Sequence, residues 1–232
     1  MKEAAVLFTG GKDSCLALLK AKEKKIDVKY LLTIIPNSYD SYMFHKPSLS
    51  LLKAQAESLG ISLITQKSKA EKEKEVKDLE KLFEKVMEEI DYILTGGVAS
   101  KYQKERIEKA ASKFGLKILN PLWGIKAEDI WGECLENDFE IILTKICCEG
   151  LSKEWLGKKI TKKLFAELVK KSKTHGFSLE FEGGDAETAV LDMPLFKERL
   201  RISSKIISES TYRHFLVINK VKKEKKEKEM KE

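Results

Sequence analysis

No stretch of this 232-residue chain approaches the ~20 consecutive apolar residues needed to cross a bilayer, so no membrane-spanning helix is expected. The opening MKEAAVLFTGG runs directly into a glycine motif and leaves no room for a secretory leader. A cytoplasmic protein is the expectation. Cysteine is scarce: Cys15, Cys134, Cys147 and Cys148 are the full set. They form no CxxC pair, and no His/Cys spacing matches a zinc site. Cys147 and Cys148 are chain neighbours, so on a strand they face opposite sides and cannot hold one ion together. Small buried hydrophobes in a reducing compartment are the expected role. Glutamine is sparse beside abundant Lys and Glu, a pattern reported for thermophile proteins. No internal repeat is evident.

What is present is a soluble balance, 42% hydrophobic and 35% charged, in a chain long enough for one large core or a main domain with a smaller companion. The formal charge is +7, but seven Lys and four Glu lie after Asn219. With so few apolar residues, 219–232 reads as a charged, disordered tail. The remaining excess, about +4, is too small to argue for nucleic acid.

Apolar runs at 4–8, 28–35, 61–67 and 91–97, and LKILNPL at 116–122, read as strands. Between them come helical patterns: CLALLKAKEKK, then 48–60 with Gly60 as its stop, then about 70–90, then ASKYQKERIEKAASKFG closing at Gly115. Val76, Leu79, Phe83, Val86 and Ile90 form the one apolar stripe of the 70–90 helix, whose Lys and Glu are a solvated face. Strand and helix in alternation predict an α/β fold, a parallel doubly wound sheet over 1–124. After that, helix and extended patterns mix with an acidic glycine-bearing loop, and 125–218 is expected to be a smaller α+β unit. Ligands of doubly wound sheets bind beyond the carboxyl ends of the strands, which puts the loops after strands in question.

The first of these is TGGKDS. Gly10 and Gly11 let backbone amides approach an anion closely. Ser14 and the first-turn amides of the next helix point the same way, where the helix dipole favours negative charge. Lys12 adds a full positive charge, and Asp13 sits where it can cap the amides or reach a magnesium ion held by phosphates. A polyphosphate is the expected guest. The string is neither a Walker A motif, since Val6 stands where the first glycine belongs and Asp13 follows the lysine, nor a Rossmann GxGxxG.

Strand–TGGKDS–helix resembles the PP-loop of the N-type ATP pyrophosphatases, with Thr9 replacing the usual serine. MFHKPSLSLLKAQAESLGI, GGVASKYQKERIEKAASKFGLKILNPLWG, CCEGLSKEWLGKKI and EGGDAETAVLDMPLF occur in the order seen in diphthine–ammonia ligases and their archaeal relatives. The likeness covers roughly 4–200. Family members commonly carry EGGEFET, where Asp185 and Ala186 stand here. The resemblance implies an adenine nucleotide α-hydrolase-like domain and a C–N ligase that makes diphthamide. ATP, with Mg²⁺ held mainly by its phosphates, would adenylate the carboxylate of diphthine on translation elongation factor 2. Ammonium would then displace AMP. With no glutaminase domain and Lys at position 2, free ammonium is the expected nitrogen donor. A homodimer is kept open; membrane and nucleic acid are not expected partners.

The resemblance also implies a site. Thr9, Gly10, Gly11, Lys12, Asp13, Ser14, His45, Gly96, Gly97 and Ser100 would hold nucleotide. Tyr102, Gln103, Arg106, Glu149, Gly150, Gly183, Gly184, Asp185, Thr188 and Asp192 would hold the acceptor. Lys12, Glu182 and Glu187 would serve the chemistry, a carboxylate acting as base for the incoming amine. Without it, Gly96-Gly97 reads equally as a tight turn, Arg106 as a surface ion pair, His45 as structural, and the crowd of Glu182, Asp185, Glu187 and Asp192 as an acidic hairpin. Two competitors stand beside the ligase. A tRNA-modifying PP-loop ATPase would want paired reactive cysteines or zinc and a basic RNA surface. A nucleotide-binding module without turnover would not need the whole glycine–lysine–aspartate–serine string.

Overall fold

A computed structural model describes residues 2–36, 48–69, 74–181 and 183–226. The first five strands form one parallel sheet: β1 (Glu3–Leu7), β2 (Asp27–Pro36), β3 (Ser62–Ser68), β4 (Tyr92–Leu94) and β5 (Lys117–Leu119). Their spatial order is β3-β2-β1-β4-β5. The chain therefore winds outward from β1 in one direction, returns, and winds outward in the other. Helices α1 (Lys12–Glu23) and α2 (Leu49–Leu59) cover one face. Helices α3 (Lys74–Glu84) and α4 (Lys101–Ser112) cover the other. The doubly wound parallel sheet expected from alternating patterns is thus observed, and its switch point lies between β1 and β4.

Local chemistry accounts for the helix ends. Ser48 and Ser100 cap α2 and α4 by accepting from the amides of Leu51 and Gln103. Gly60 closes α2 at φ 70°, its amide donating to Ala56 O, as its place in the sequence predicts. The charged helix is shorter than its periodicity suggests. Beyond Glu84 the chain passes into turns, although Val86 and Ile90 stay in the core.

The second half contributes α5 (Ala127–Glu136), β6 (Glu140–Ile146), α6 (Lys162–His175), β7 (Ala186–Asp192), β8 (Glu198–Ser208) and β9 (His214–Lys225). Its four strands form an antiparallel sheet in the order β7-β6-β9-β8. One apolar core runs through both halves, joining Leu16 and Leu52 to Trp131, Ile141 and Val190. The sheet is also pinned to α2: Ser58 Oγ donates to Glu198 O at 2.7 Å and accepts from Glu198 N at 3.0 Å.

Two expectations are corrected. Residues 219–225 are not a tail but the second half of β9, from Lys220 opposite Ser203 to Lys225 opposite Glu198. Strand pairing uses backbone groups, so alternating lysines do not prevent it. Ile218 and Val221 pack against the core while Lys223 reaches Glu57 at 2.7 Å. Cys147 and Cys148 lie in the turn after β6 rather than on the strand.

Candidate active site

Loops at the carboxyl ends of β1 and β4 meet the antiparallel sheet around a cavity of about 370 Å³. Thr9, Gly11, Lys12, Asp13 and Ser14 line it from one side, and Thr95, Gly96, Gly97, Ser100 and Gln103 from another. The second half adds Lys145, Glu180, Glu187 and Thr188.

Gly11 is the extended N-cap of α1 and carries no side-chain cap. Cys15 is the α1 residue whose amide closes the first helical turn, onto Gly11 O at 3.1 Å; the amides ahead of it precede the helical ladder. Ser14 ties the loop together: its Oγ donates to Gly11 O at 3.2 Å and accepts from Thr9 N at 3.3 Å. The Lys12 amide donates to Thr188 Oγ1 at 3.1 Å, so β7 touches the cradle directly.

Gly10 does a different job from the one expected. At φ 73° it turns away from the cavity, and its carbonyl accepts from Val190 N and from Gln55 Nε2, both at 2.9 Å. Gln55 is 0% exposed and also donates to Val190 O at 2.7 Å, stapling the loop, α2 and β7 together. Its Oε1 lines up with no donor among the described residues, and neither does Asn120 Oδ1 on the opposite wall. Both residues line the cavity, but these two oxygens are shielded from its open space.

Lys12 is 2% exposed and points inward. Its ammonium donates to both Asp13 carboxylate oxygens at 2.9 Å and to Glu180 O at 3.5 Å. It also lies 5.3 Å over the Trp131 ring and 5.6 Å over that of Phe181. Asp13 thus holds Lys12, a partnership the motif did not announce.

Gly96 serves packing. A Cβ there would lie 2.7 Å from Asp13 C and from Ser14 N, so its missing side chain lets the β4 loop press on the first turn of α1. Gly97 faces open space, the nearest atom to its Cβ position being Asn120 Nδ2 at 3.6 Å.

The expected acceptor residues divide, and Glu187, expected to serve the chemistry, falls with the first group. Gln103, Thr188 and Glu187 reach the cavity; Tyr102, Arg106, Glu149, Gly150, Gly183, Gly184, Asp185 and Asp192 do not line it. Arg106 stacks its guanidinium 3.4 Å over the Tyr102 ring and donates to Tyr102 O. Gly150 sits at φ 89° against the His175 ring, and exposed Glu149 lies 3.8 Å from His175 Nδ1. The acidic crowd is dispersed. Asp185 accepts from Ser178 N at 3.0 Å and so fixes the loop, while Asp192 is held by Arg199 at 3.0 Å and Lys226 at 2.6 Å. His45 and Glu182 lie outside the described residues.

Sequence reasoning missed Gln55, Asn120, Lys104, Lys145 and Glu180. Lys145 on β6 stands opposite Glu187 on β7 and donates to its Oε1 at 3.1 Å. Lys104 lies 4.3 Å over the Trp123 ring on the other wall. Burial pushes the Cys134 and Cys148 thiols up to about 12 and raises Cys15 well above its usual range.

A parallel α/β sheet with a helix N-terminus at its switch point, roofed by an antiparallel sheet, sets a cavity where doubly wound sheets hold ligands. The model of the diphthamide synthase N-terminal domain matches residues 1–118, and that of the C-terminal domain matches 126–225. The chain belongs to the diphthamide synthase family. Among its relatives are proteins named diphthine–ammonia ligase. The bovine one is 30% identical over 89% of this chain and 85% of its own length. The human one is 30% identical over 86% and 82%. That of fission yeast is 29% identical over 88% of this chain, which spans only 36% of the yeast protein. A solved structure from Methanocaldococcus jannaschii, described as a predicted subunit of tRNA methyltransferase, overlaps loosely, with a TM-score of 0.44 at 21% identity over 84% of this chain and 98% of that one.

Proposed function

We propose that this chain is an AMP-forming amide ligase: diphthine on elongation factor 2, ammonium and ATP go to diphthamide, AMP and pyrophosphate. The observation that carries the proposal is the meeting of a helix N-terminus with Glu187 and Lys145 of the antiparallel sheet in one cavity. The relatives' names supply the acceptor.

In this reading Gly11, Ser14 and the first-turn amides of α1 receive the triphosphate. The diphthine carboxylate attacks the α-phosphorus, forming a C(O)–O–P bond and releasing pyrophosphate. Ammonia then attacks the acyl carbon and AMP leaves with the former carboxylate oxygen. Glu187 takes the proton that nitrogen sheds. The protein's share is placement and the exclusion of water. Among the described residues no three His, Cys, Asp or Glu side chains gather to hold a metal, and Asp13 is committed to Lys12. Magnesium, held mainly by the triphosphate oxygens, would offset phosphate charge. A chain that acts on a translation factor would work in the cytoplasm. A thiolation reaction fits poorly with thiols held protonated by burial.

The test is incubation with ATP labelled in the α-phosphate. Labelled AMP forming only with both diphthine-bearing factor and ammonium is expected. ADP formation, stimulation by tRNA, or no cleavage refutes the reading.

A further inference from the structure

Six charged side chains line the cavity among the described residues: Lys12, Asp13, Lys104, Lys145, Glu180 and Glu187. The signs balance, yet the reaction must bring a carboxylate against a triphosphate. A cation with hydrogen-bond capacity to spare is needed on the acceptor's side. Lys12 does not offer one, because its three N–H bonds are directed to Asp13 Oδ1, Asp13 Oδ2 and Glu180 O. Lys104 belongs to the opposite wall, over Trp123, with its side chain 35% exposed.

Lys145 differs from both. Its side chain is 11% exposed, and its one hydrogen bond among the described residues is to Glu187 Oε1 at 3.1 Å. An ammonium has three donors, so two remain. Its position is set by the sheet. On β6 it is paired with Glu187 of β7 on one side and with Phe215 of β9 on the other. The next residue of β7, Thr188, touches the Lys12 amide of the cradle. Neighbouring strands lie ~4.8 Å apart, so Lys145 stands one strand beyond the wall that meets the phosphates. An acceptor held there would share the cavity with the first turn of α1.

We infer that Lys145 is the acceptor-binding cation: its ammonium, oriented by Glu187, holds the carboxylate that ATP activates. This rests on the ligase reading above and adds to it the residue that binds the acceptor. The same pairing gives Glu187 a second role, since it keeps the ammonium aimed and stands beside the acyl carbon when ammonia arrives. An unbranched aliphatic side chain of similar length would keep the packing and lose the carboxylate, whereas arginine would retain a donor fork.

The test uses the full chain, with K145M and K145R beside wild type. Acceptor kinetics are measured by AMP release over a range of diphthine-bearing factor. Nucleotide affinity is measured separately by calorimetry with magnesium-ATP, and folding by thermal melting. The expected result for K145M is a fall of 100-fold or more in kcat/KM for the acceptor, with the nucleotide Kd within threefold of wild type. K145R is expected to recover at least tenfold of the loss. A nucleotide Kd that weakens as much as kcat/KM makes Lys145 a phosphate ligand and overturns the inference. So do unchanged acceptor kinetics, a change confined to the KM for ammonium, or a K145R that melts like wild type yet recovers nothing. Wild-type protein that releases no AMP with acceptor and ammonium refutes the ligase reading itself, and the acceptor subsite with it. The variants by themselves decide only the subsite.

Discussion

Gly96→Ala is a one-methyl perturbation aimed at the cradle. Gly96 has an ordinary backbone conformation, so alanine is acceptable to its φ and ψ and only the surroundings decide the outcome. The added Cβ would meet Asp13 C and Ser14 N at 2.7 Å and Asp13 O at 2.8 Å, where ordinary contact begins at 3.4 Å. All three atoms are backbone in the first turn of α1, and no flexible side chain can swing aside. Relief requires the β4 loop and the helix terminus to separate, which moves the amides that would receive phosphate. Overpacking of this kind costs about 1–3 kcal/mol, and a similar loss in binding is roughly 5- to 150-fold in Kd. Gly97→Ala is the control, since its Cβ meets nothing closer than 3.6 Å. Calorimetric titration with magnesium-ATP and urea unfolding of both variants read the two effects. G96A is expected to lose both affinity and stability while G97A stays near wild type in stability. A G96A protein that binds and unfolds like wild type, or a G97A protein that is destabilised as much, would refute the reasoning.

Gln55→Leu removes the donor shared by Gly10 O and Val190 O inside the core and is expected to lower unfolding free energy by about 1–3 kcal/mol, read from urea midpoints. Ending the chain at Asn219 strips β8 of its partners from Glu198 to Ser203, and a clear drop in melting temperature is expected; a solvated tail would give none. The Cys134 thiol, pushed up to about 12 by burial, gives stability a pH slope. The unfolded thiol ionises above ~8.5 while the folded one stays protonated, so stability falls as pH rises between those values, by about 1.4 kcal/mol per unit. Comparing urea midpoints at pH 8 and 10 checks it, and C134A should flatten that part of the slope.

The parallel sheet was legible because its signals are local: apolar runs ending in turn residues, and a glycine stop at Gly60, which does take the left-handed region. The cradle was legible for the same reason, TGGKDS being contiguous. What escaped was set by distant partners. Nothing near Lys12 in sequence reveals Trp131 and Phe181 beneath its ammonium, and nothing near Gly10 reveals Gln55. Lys145 sits in an apolar run, IILTKICC, and becomes a site residue only through its register against Glu187. The acidic block misled in the opposite sense. Its members are close in sequence, but alternation along β7 and the loop before it sends Glu187 to the cavity, Asp185 to a backbone amide and Asp192 to Arg199. The charged end of the chain misled because composition reports what a segment cannot bury and says nothing of a backbone partner waiting for it.

The central claim is that this cavity joins a carboxylate to the α-phosphorus of ATP before nitrogen enters. Diphthine-bearing factor labelled with ¹⁸O in its carboxylate, turned over with ATP and ammonium, tests it most directly by mass spectrometry of the nucleotide product. One labelled oxygen in AMP is the predicted result. Unlabelled AMP, or label in inorganic phosphate alongside ADP, would contradict it.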